Sequence, residues 1–208
     1  DRDYDLEQPL IKVENTTRAL QDLASYYLRQ FSIPVVAVTG STGKTTTKDL
    51  IAAVIGQKYK TLKTKGNFNN EIGLPLTLLR LDNSYQAVVL EMGMRGLGEI
   101  KRLTEIALPD IGVVTNVGKT HIELLGSVDN IAQAKSELIQ SLDSNGTAIL
   151  NADDQRVANM KELTAAQIIK YGVEQSADLN AKKINTLAGD RISFELVSGT
   201  ETIEITLP

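Results

Sequence analysis

The run Thr39-Gly40-Ser41-Thr42-Gly43-Lys44-Thr45-Thr46 lies between two segments of opposite character, and that placement constrains the fold more than any other feature of the chain. Before it, Val35-Val36-Ala37-Val38 is short, continuously apolar and β-branched, the pattern of a strand buried on both faces of a parallel sheet. After it, Leu50, Ile51, Val54 and Ile55 fall at helical spacing. Strand, glycine loop and helix in that order form the context that a phosphate-binding loop requires. The glycines let backbone N–H groups turn inward onto phosphate oxygens, and the helix N-terminus adds its positive dipole end. Lys44 then reaches the β- and γ-phosphates, and the Thr45 hydroxyl ligates Mg²⁺. Gly40, Ser41, Thr42, Gly43, Lys44, Thr45 and Thr46 are thus read as the binding loop for a magnesium nucleoside triphosphate. The loop is of a short form, because the long form has a glycine six positions before the lysine, where this chain has Val38.

Further strand-like runs at residues 61–62, 87–90, 111–115 and 147–150 alternate with helical segments. Such alternation implies a P-loop-type α/β fold, a mostly parallel, doubly wound sheet with helices on both faces. A leading helix is expected over residues 17–31 from Leu20, Leu23, Ala24, Tyr27, Leu28 and Phe31, with Thr16 or Thr17 as N-cap and Pro34 as the stop. After Asp154 the texture changes. A helix-like patch at residues 157–163 gives way to Ile168-Ile169, Ile184 and the runs 192–197 and 203–207, with turns at Gly189-Asp190 and Ser198-Gly199. These read as antiparallel strands appended to the sheet near the C-terminus.

Polar residues fall at the ends of the predicted strands, where ligands of open α/β sheets bind. Glu91 closes the apolar run Val88-Val89-Leu90 and is either a Mg²⁺ ligand or a solvated strand end; the phosphate loop favours the ligand. His121 follows Val113-Val114-Thr115-Asn116-Val117 on the same sheet edge, as a ligand or as a structural imidazole. A helix over residues 127–142 carries the apolar stripe Ile131, Ala134, Leu138, Ile139 and Leu142, with Lys135 in its middle. Two accounts of that lysine stand: a side chain snorkelling past the core, or a partly buried amine whose lowered pKa suits it to reaction or metal-site chemistry. Two Asn-rich loops, Gly66-Asn67-Phe68-Asn69-Asn70-Glu71-Ile72-Gly73 and Leu150-Asn151-Ala152-Asp153-Asp154, complete the set, and their composition also suits plain turns.

Composition narrows the chemistry. With no cysteine and one histidine among 208 residues, disulfides, thiolate-bound zinc and a Cys nucleophile are excluded. Any metal must sit on oxygen or on His121, which favours a hard ion such as Mg²⁺. A net charge of −4 without a long basic run provides no general attraction for nucleic acid, and Lys58, Lys60, Lys63 and Lys65 read as a solvated face. There is neither a membrane-length apolar run nor a signal-peptide layout, so a soluble, cytoplasmic chain is expected. The chain starts without Met and stops on Thr206-Leu207-Pro208 directly after a strand-like run, and it is expected to be a piece of something longer.

Together, and in this order, these pieces resemble the Mur ligase family, ATP-dependent amide-bond-forming enzymes of bacterial cell-wall synthesis. The short loop is the form that family uses, which accounts for Val38. The segments Asn67-Phe68-Asn69-Asn70-Glu71-Ile72-Gly73-Leu74-Pro75, Glu91-Met92-Gly93-Met94-Arg95 with Gly98-Glu99-Ile100, and Thr115-Asn116-Val117 leading to His121 look most like family members that join D-alanyl-D-alanine to UDP-MurNAc-tripeptide. The likeness covers about residues 10–208. It implies ATP in the loop, Thr45 and Glu91 on one Mg²⁺, and His121 with a CO₂-carbamylated Lys135 on a second. It further implies Asn151 at the adenine, Asn70 in the loop facing the substrate phosphate site, and Lys44, Glu91, His121 and Lys135 as the catalytic set.

The same resemblance implies a domain plan. Residues 1–16 are expected to be the trailing edge of an N-terminal UDP-sugar domain or a linker, and residues 17–208 a C-terminally incomplete central ATP-binding domain. The C-terminal ligase domain is expected to be absent, so that the chain alone holds ATP without forming a peptide bond. The implied partners are the small molecules UDP-MurNAc-tripeptide and D-alanyl-D-alanine in the full-length protein, with no nucleic acid, no membrane span and a monomeric state. Two other readings stay open: a related ligase of folylpolyglutamate-synthetase type, and a nucleotide-dependent interaction module that ligates nothing.

Overall fold

In the computed structural model, which describes residues 10–120, 122–189 and 191–207, Asn15 opens the first helix, α1 (Thr16–Leu28). Its side chain accepts the Arg18 N–H at 2.9 Å, so the cap lies one residue ahead of the expected Thr16 or Thr17. The helix buries Gln21, Ala24 and Leu28, whereas Leu23, expected in the apolar stripe, is 55% exposed. It also stops short of Phe31, whose ring packs edge-on against Tyr27 with centroids 5.1 Å apart.

The chain then alternates. β1 (Val35–Thr39) leads through the glycine loop into α2 (Lys44–Ile55), followed by β2 (Thr61–Lys63), α3 (Gly73–Leu78), β3 (Ala87–Glu91), α4 (Glu99–Ala107) and β4 (Ile111–Val114). Next come α5 (Ile122–Leu125), α6 (Val128–Gln140), capped by the Ser127 hydroxyl, β5 (Thr147–Asn151), α7 (Gln155–Ala158) and a 3₁₀ segment, Asn159–Leu163. Four strands close the described chain: β6 (Gln167–Gly172), β7 (Leu179–Thr186), β8 (Ile192–Ser198) and β9 (Glu201–Leu207).

All nine strands form one sheet in the order β2-β3-β1-β4-β5-β6-β7-β8-β9. From β1 the chain first builds outward to β2 and β3 on one side, then to β4 and β5 on the other, and the reversal falls at the C-terminal end of β1. Ligands of open α/β sheets bind at such a switch point, and the glycine loop stands there. The expectation of antiparallel strands after Asp154 holds only for the last three. β6 pairs parallel to β5, reached through the α7 and 3₁₀ crossover, and β7 pairs parallel to β6 at Tyr171↔Leu179 and Gly172↔Asn180. β7 begins beside the point where β6 ends and runs onward, so a loop suffices where a full parallel pairing needs a helix-length crossover. The Asp153 carboxylate pins that loop by accepting the N–H groups of Val173, Glu174 and Gln175. Antiparallel pairing starts at β7–β8 and continues to β9 across the Ser198-Gly199 turn.

Strand periodicity divides the core. Val35 and Ala37 of β1, with Val88 and Leu90 of β3, face a large cluster formed with α1, α3, α4 and α6. Val36, Val38, Val89 and Val113 face the opposite side, where Ala52, Ile51 and Ile55 of α2 cover them. The helix that follows the glycine loop is thus seated directly on β1 and β3. On α6 the predicted stripe is borne out, since Ile131, Ala134, Leu138, Ile139 and Leu142 are all buried. Removing the fully buried Leu138 side chain leaves a cavity against β4, where Leu138 packs by Gly112. Leu138→Ala is expected to lower unfolding free energy by about 3 kcal/mol, read from the urea midpoint.

Candidate nucleotide and metal site

The loop between β1 and α2 is held by the segment that follows β4. Ser41 N–H donates to the Asn116 carbonyl at 3.0 Å, Gly118 N–H donates to Ser41 Oγ at 2.7 Å, and the Asn116 side-chain oxygen accepts the Thr42 N–H at 3.0 Å. Thr115 Oγ1 donates to the Thr42 carbonyl at 2.7 Å. Gly40, at φ +153°, leaves no room for a side chain, because a Cβ there would lie 1.9 Å from Thr115 Oγ1. Gly43 adopts the left-handed conformation, φ +77°, and brings no side chain to the N-terminus of α2. The Lys44 ammonium curls back to the loop, donating to the Gly40 carbonyl at 2.9 Å.

Thr45 and Glu91, paired in the sequence reading as metal ligands, meet in the fold: Thr45 Oγ1 donates to Glu91 Oε2 at 2.7 Å. Glu91 is 3% exposed. Its other oxygen, Oε1, accepts Asn69 Nδ2 at 2.8 Å, and its backbone N–H donates to Thr64 Oγ1 at 3.0 Å. A buried carboxylate beside a hydroxyl at the mouth of a phosphate loop is an oxygen-donor set that fits Mg²⁺. Among the described residues no three His, Cys, Asp or Glu side chains gather in a metal-sized cluster.

Next to this pair opens a cleft of about 320 Å³, bordered by Gly40 and Lys44 on the loop side, by Asn69, Asn70 and Glu71 on another, and by Lys135. Lys135 is 2% exposed. Burial, with a second contribution from the Lys44 ammonium, brings its amine down from 10.5 to about 7. Of the two accounts of this lysine, the structure therefore supports the buried amine over the snorkelling one. Asn70 borders the cleft while its Oδ1 accepts the Gly73 N–H, at the start of α3, at 2.8 Å. Asn151, at the end of β5, donates Nδ2 to the Thr115 carbonyl at 2.9 Å and accepts the Asp153 N–H at 2.9 Å, which ties β5 to the segment bracing the loop. Ser41 is buried, and Thr42, Thr45 and Thr46 lie on the exposed rim. His121 lies outside the described residues.

Several contributors carried no individual signal in the sequence. Asn69 differs from its neighbours Asn67 and Asn70 only in where the loop points it. Thr64 stands in an unremarkable Lys-Thr-Lys run, and Asp154 is one of two adjacent aspartates. In the fold Asp154 receives the Val117 N–H at 2.7 Å on one oxygen and caps α7 with the other, linking the β5–α7 loop to the segment after β4.

The fold and the loop define a nucleotide-binding domain of P-loop type. Residues 38–208 match the model of the Mur ligase middle domain. The UDP-N-acetylmuramoyl-tripeptide–D-alanyl-D-alanine ligase of Synechocystis is 47% identical over 163 residues, covering 78% of this chain and 36% of that protein. Among solved structures, MurF from Acinetobacter baumannii superposes with a TM-score of 0.92 at 33% identity, covering all of this chain (100%) and 46% of that one. MurF ligase from Thermotoga maritima in complex with ADP superposes at 0.89 with 30% identity, over 99% of this chain and 47% of that one. The chain belongs to the Mur ligase family. It spans less than half the length of each of these relatives.

The crowding at Gly40 has a direct consequence. Gly40→Ala forces the loop away from Thr115 and is expected to weaken ADP binding by about tenfold or more, measured by calorimetric titration; an unchanged affinity would show that the loop does not depend on this contact.

Proposed function

We propose that this chain is the ATP-binding domain of a bacterial ligase that joins D-alanyl-D-alanine to UDP-N-acetylmuramoyl-tripeptide, converting ATP to ADP and phosphate through an acyl phosphate. The observation that carries the reading is the gathering of Lys44, the Thr45–Glu91 pair and a buried, near-neutral Lys135 around one loop and cleft. The identity to ligases of that name supports the choice of substrates.

The chemistry explains the residue types. A carboxylate is a poor electrophile and its oxygen a poor leaving group, so the γ-phosphoryl group passes first to the tripeptide's terminal carboxylate. The amine of the dipeptide then attacks the acyl carbon, the C–N bond forms, and phosphate leaves. Lys44 and the loop N–H groups orient the phosphates and hold positive charge where negative charge accumulates. Thr45 and Glu91 would hold Mg²⁺, and Asn69 keeps Glu91 turned toward it. When bound, Mg²⁺ supplies neutralisation of the phosphate oxygens.

Lys135 enters as a carbamate. Its neutral amine attacks CO₂, an N–C bond forms and a proton is released, so a cation beside Lys44 becomes an anion able to join His121 at a second Mg²⁺. Asn151 is assigned to the adenine and Asn70 to the substrate side. We read the parent enzyme as a monomer of the bacterial cytoplasm acting on small molecules without nucleic acid, in keeping with the net charge of −4 and the lack of a membrane-length apolar helix among the described residues. In a full-length ligase, most of the substrate binding and the closure over ATP would fall to parts outside this chain.

In the full-length parent, phosphate release from ATP is expected to require both the tripeptide and D-alanyl-D-alanine. Turnover indifferent to both would leave the interaction-module reading in its place. The state of Lys135 has its own readout: ¹³C-bicarbonate should label wild-type protein but not Lys135→Arg in carbon NMR. The label should grow as pH rises through about 7, because the amine must lose its proton to react.

A further inference from the structure

The second buried lysine of the molecule lies outside the roles given so far. Lys48 is 2% exposed, on α2, three residues after Thr45 and thus on the same helix face. Its Nζ donates to the Thr64 carbonyl at 2.9 Å and lies 3.1 Å from the Asp49 carboxylate, which Lys63 reaches at 2.6 Å from the solvent side. Burying an ammonium carries a desolvation cost that a Leu or Met in its place would avoid. The bond to Thr64 shows what the charge accomplishes there.

Thr64 is fully buried and stands where β2 gives way to the Asn-rich loop. Its N–H donates to the Val89 carbonyl at 3.0 Å, and its hydroxyl accepts the Glu91 N–H at 3.0 Å. Five residues on, Asn69 donates to Glu91 Oε1 at 2.8 Å. Of the three groups that hold Glu91, then, two belong to the segment 64–69 and the third, Thr45, to α2. The ammonium of Lys48 is the buried bond between that segment and α2. We propose that Lys48 is a positioning residue for Glu91: through Thr64 it sets the carboxylate at the distance from the Thr45 hydroxyl that a cation needs. The proposal rests on the reading of Thr45 and Glu91 as the Mg²⁺ ligands.

The test is calorimetric titration of ADP into the full-length parent ligase, with Mg²⁺ and with EDTA, for wild type, Lys48→Met and Thr64→Val. Lys48→Met keeps the stem and removes the charge; Thr64→Val keeps the size and removes the acceptor of the Glu91 N–H. The expected result is that the tightening of ADP produced by Mg²⁺ falls by about tenfold in both variants, the range for removing a group that orients a metal ligand, while affinity in EDTA is unchanged. A purely structural lysine would instead lower the melting temperature and weaken ADP equally in both buffers, which would overturn the proposal. So would a wild-type Mg²⁺ effect in either folded variant. If Lys48→Met does not fold, Thr64→Val decides. A wild-type protein whose ADP affinity ignores Mg²⁺ would sink the metal reading itself, an outcome distinct from failure of the positioning role.

Discussion

At Gly40 the backbone leaving β1 passes so close to the Thr115 side chain that even a methyl group has no space, and the remainder of the site is arranged around that contact. The chain turns over Thr115 and Asn116, accepting from the Thr115 hydroxyl and donating the Thr42 N–H to Asn116 Oδ1, and enters α2 through the left-handed Gly43. Since α2 is also seated on Val36, Val38 and Val89, its N-terminus is fixed relative to β1, β3 and β4 together. Thr45 then falls within hydrogen-bonding distance of Glu91 as a matter of geometry, without a flexible segment between them.

Charge is the second organising feature, and it is handled by burial in three different ways. Glu91 is buried with a donor on each carboxylate oxygen, so its orientation is determined before any cation arrives. Lys48 is buried against a carbonyl and a half-exposed carboxylate, so its Nζ has a fixed partner on each. At Lys135, burial, with a smaller contribution from the Lys44 ammonium, lowers the pKa to about 7. Two lysines equally hidden from solvent thus differ in their surroundings: Lys48 has a carbonyl and a carboxylate within reach, and the charge that bears on Lys135 is a second ammonium.

Much of this was legible from the residues. The loop, the central strands, the stripe on α6 and the candidacy of Glu91 follow from apolar periodicity and from the rule that ligands collect at strand ends, while the pairing of Thr45 with Glu91 came from the family resemblance. Other features were not. Leu23 was expected inside and Gln21 took its place, because Gln21 donates to the Glu71 carbonyl and accepts from Arg102, partners far along the chain. β6 and β7 were expected to be antiparallel; their direction depends on where β7 begins relative to the end of β6, which strand composition does not encode. Asn69 was indistinguishable from Asn67 and Asn70 until the loop's path turned it to Glu91.

The sequence by itself determined that a nucleotide loop sits between a doubly buried strand and a helix, since that outcome depends on local spacing and on glycines whose conformations few other residues adopt. It also determined the order in which polar residues reach the sheet edge. Only the tertiary structure decided which of them share a site and in what charge state. Hydrogen bonds such as Lys48 to Thr64 and Glu91 to Thr64 join residues 16 and 27 positions apart, and the burial that lowers the pKa of Lys135 is a property of everything packed around it.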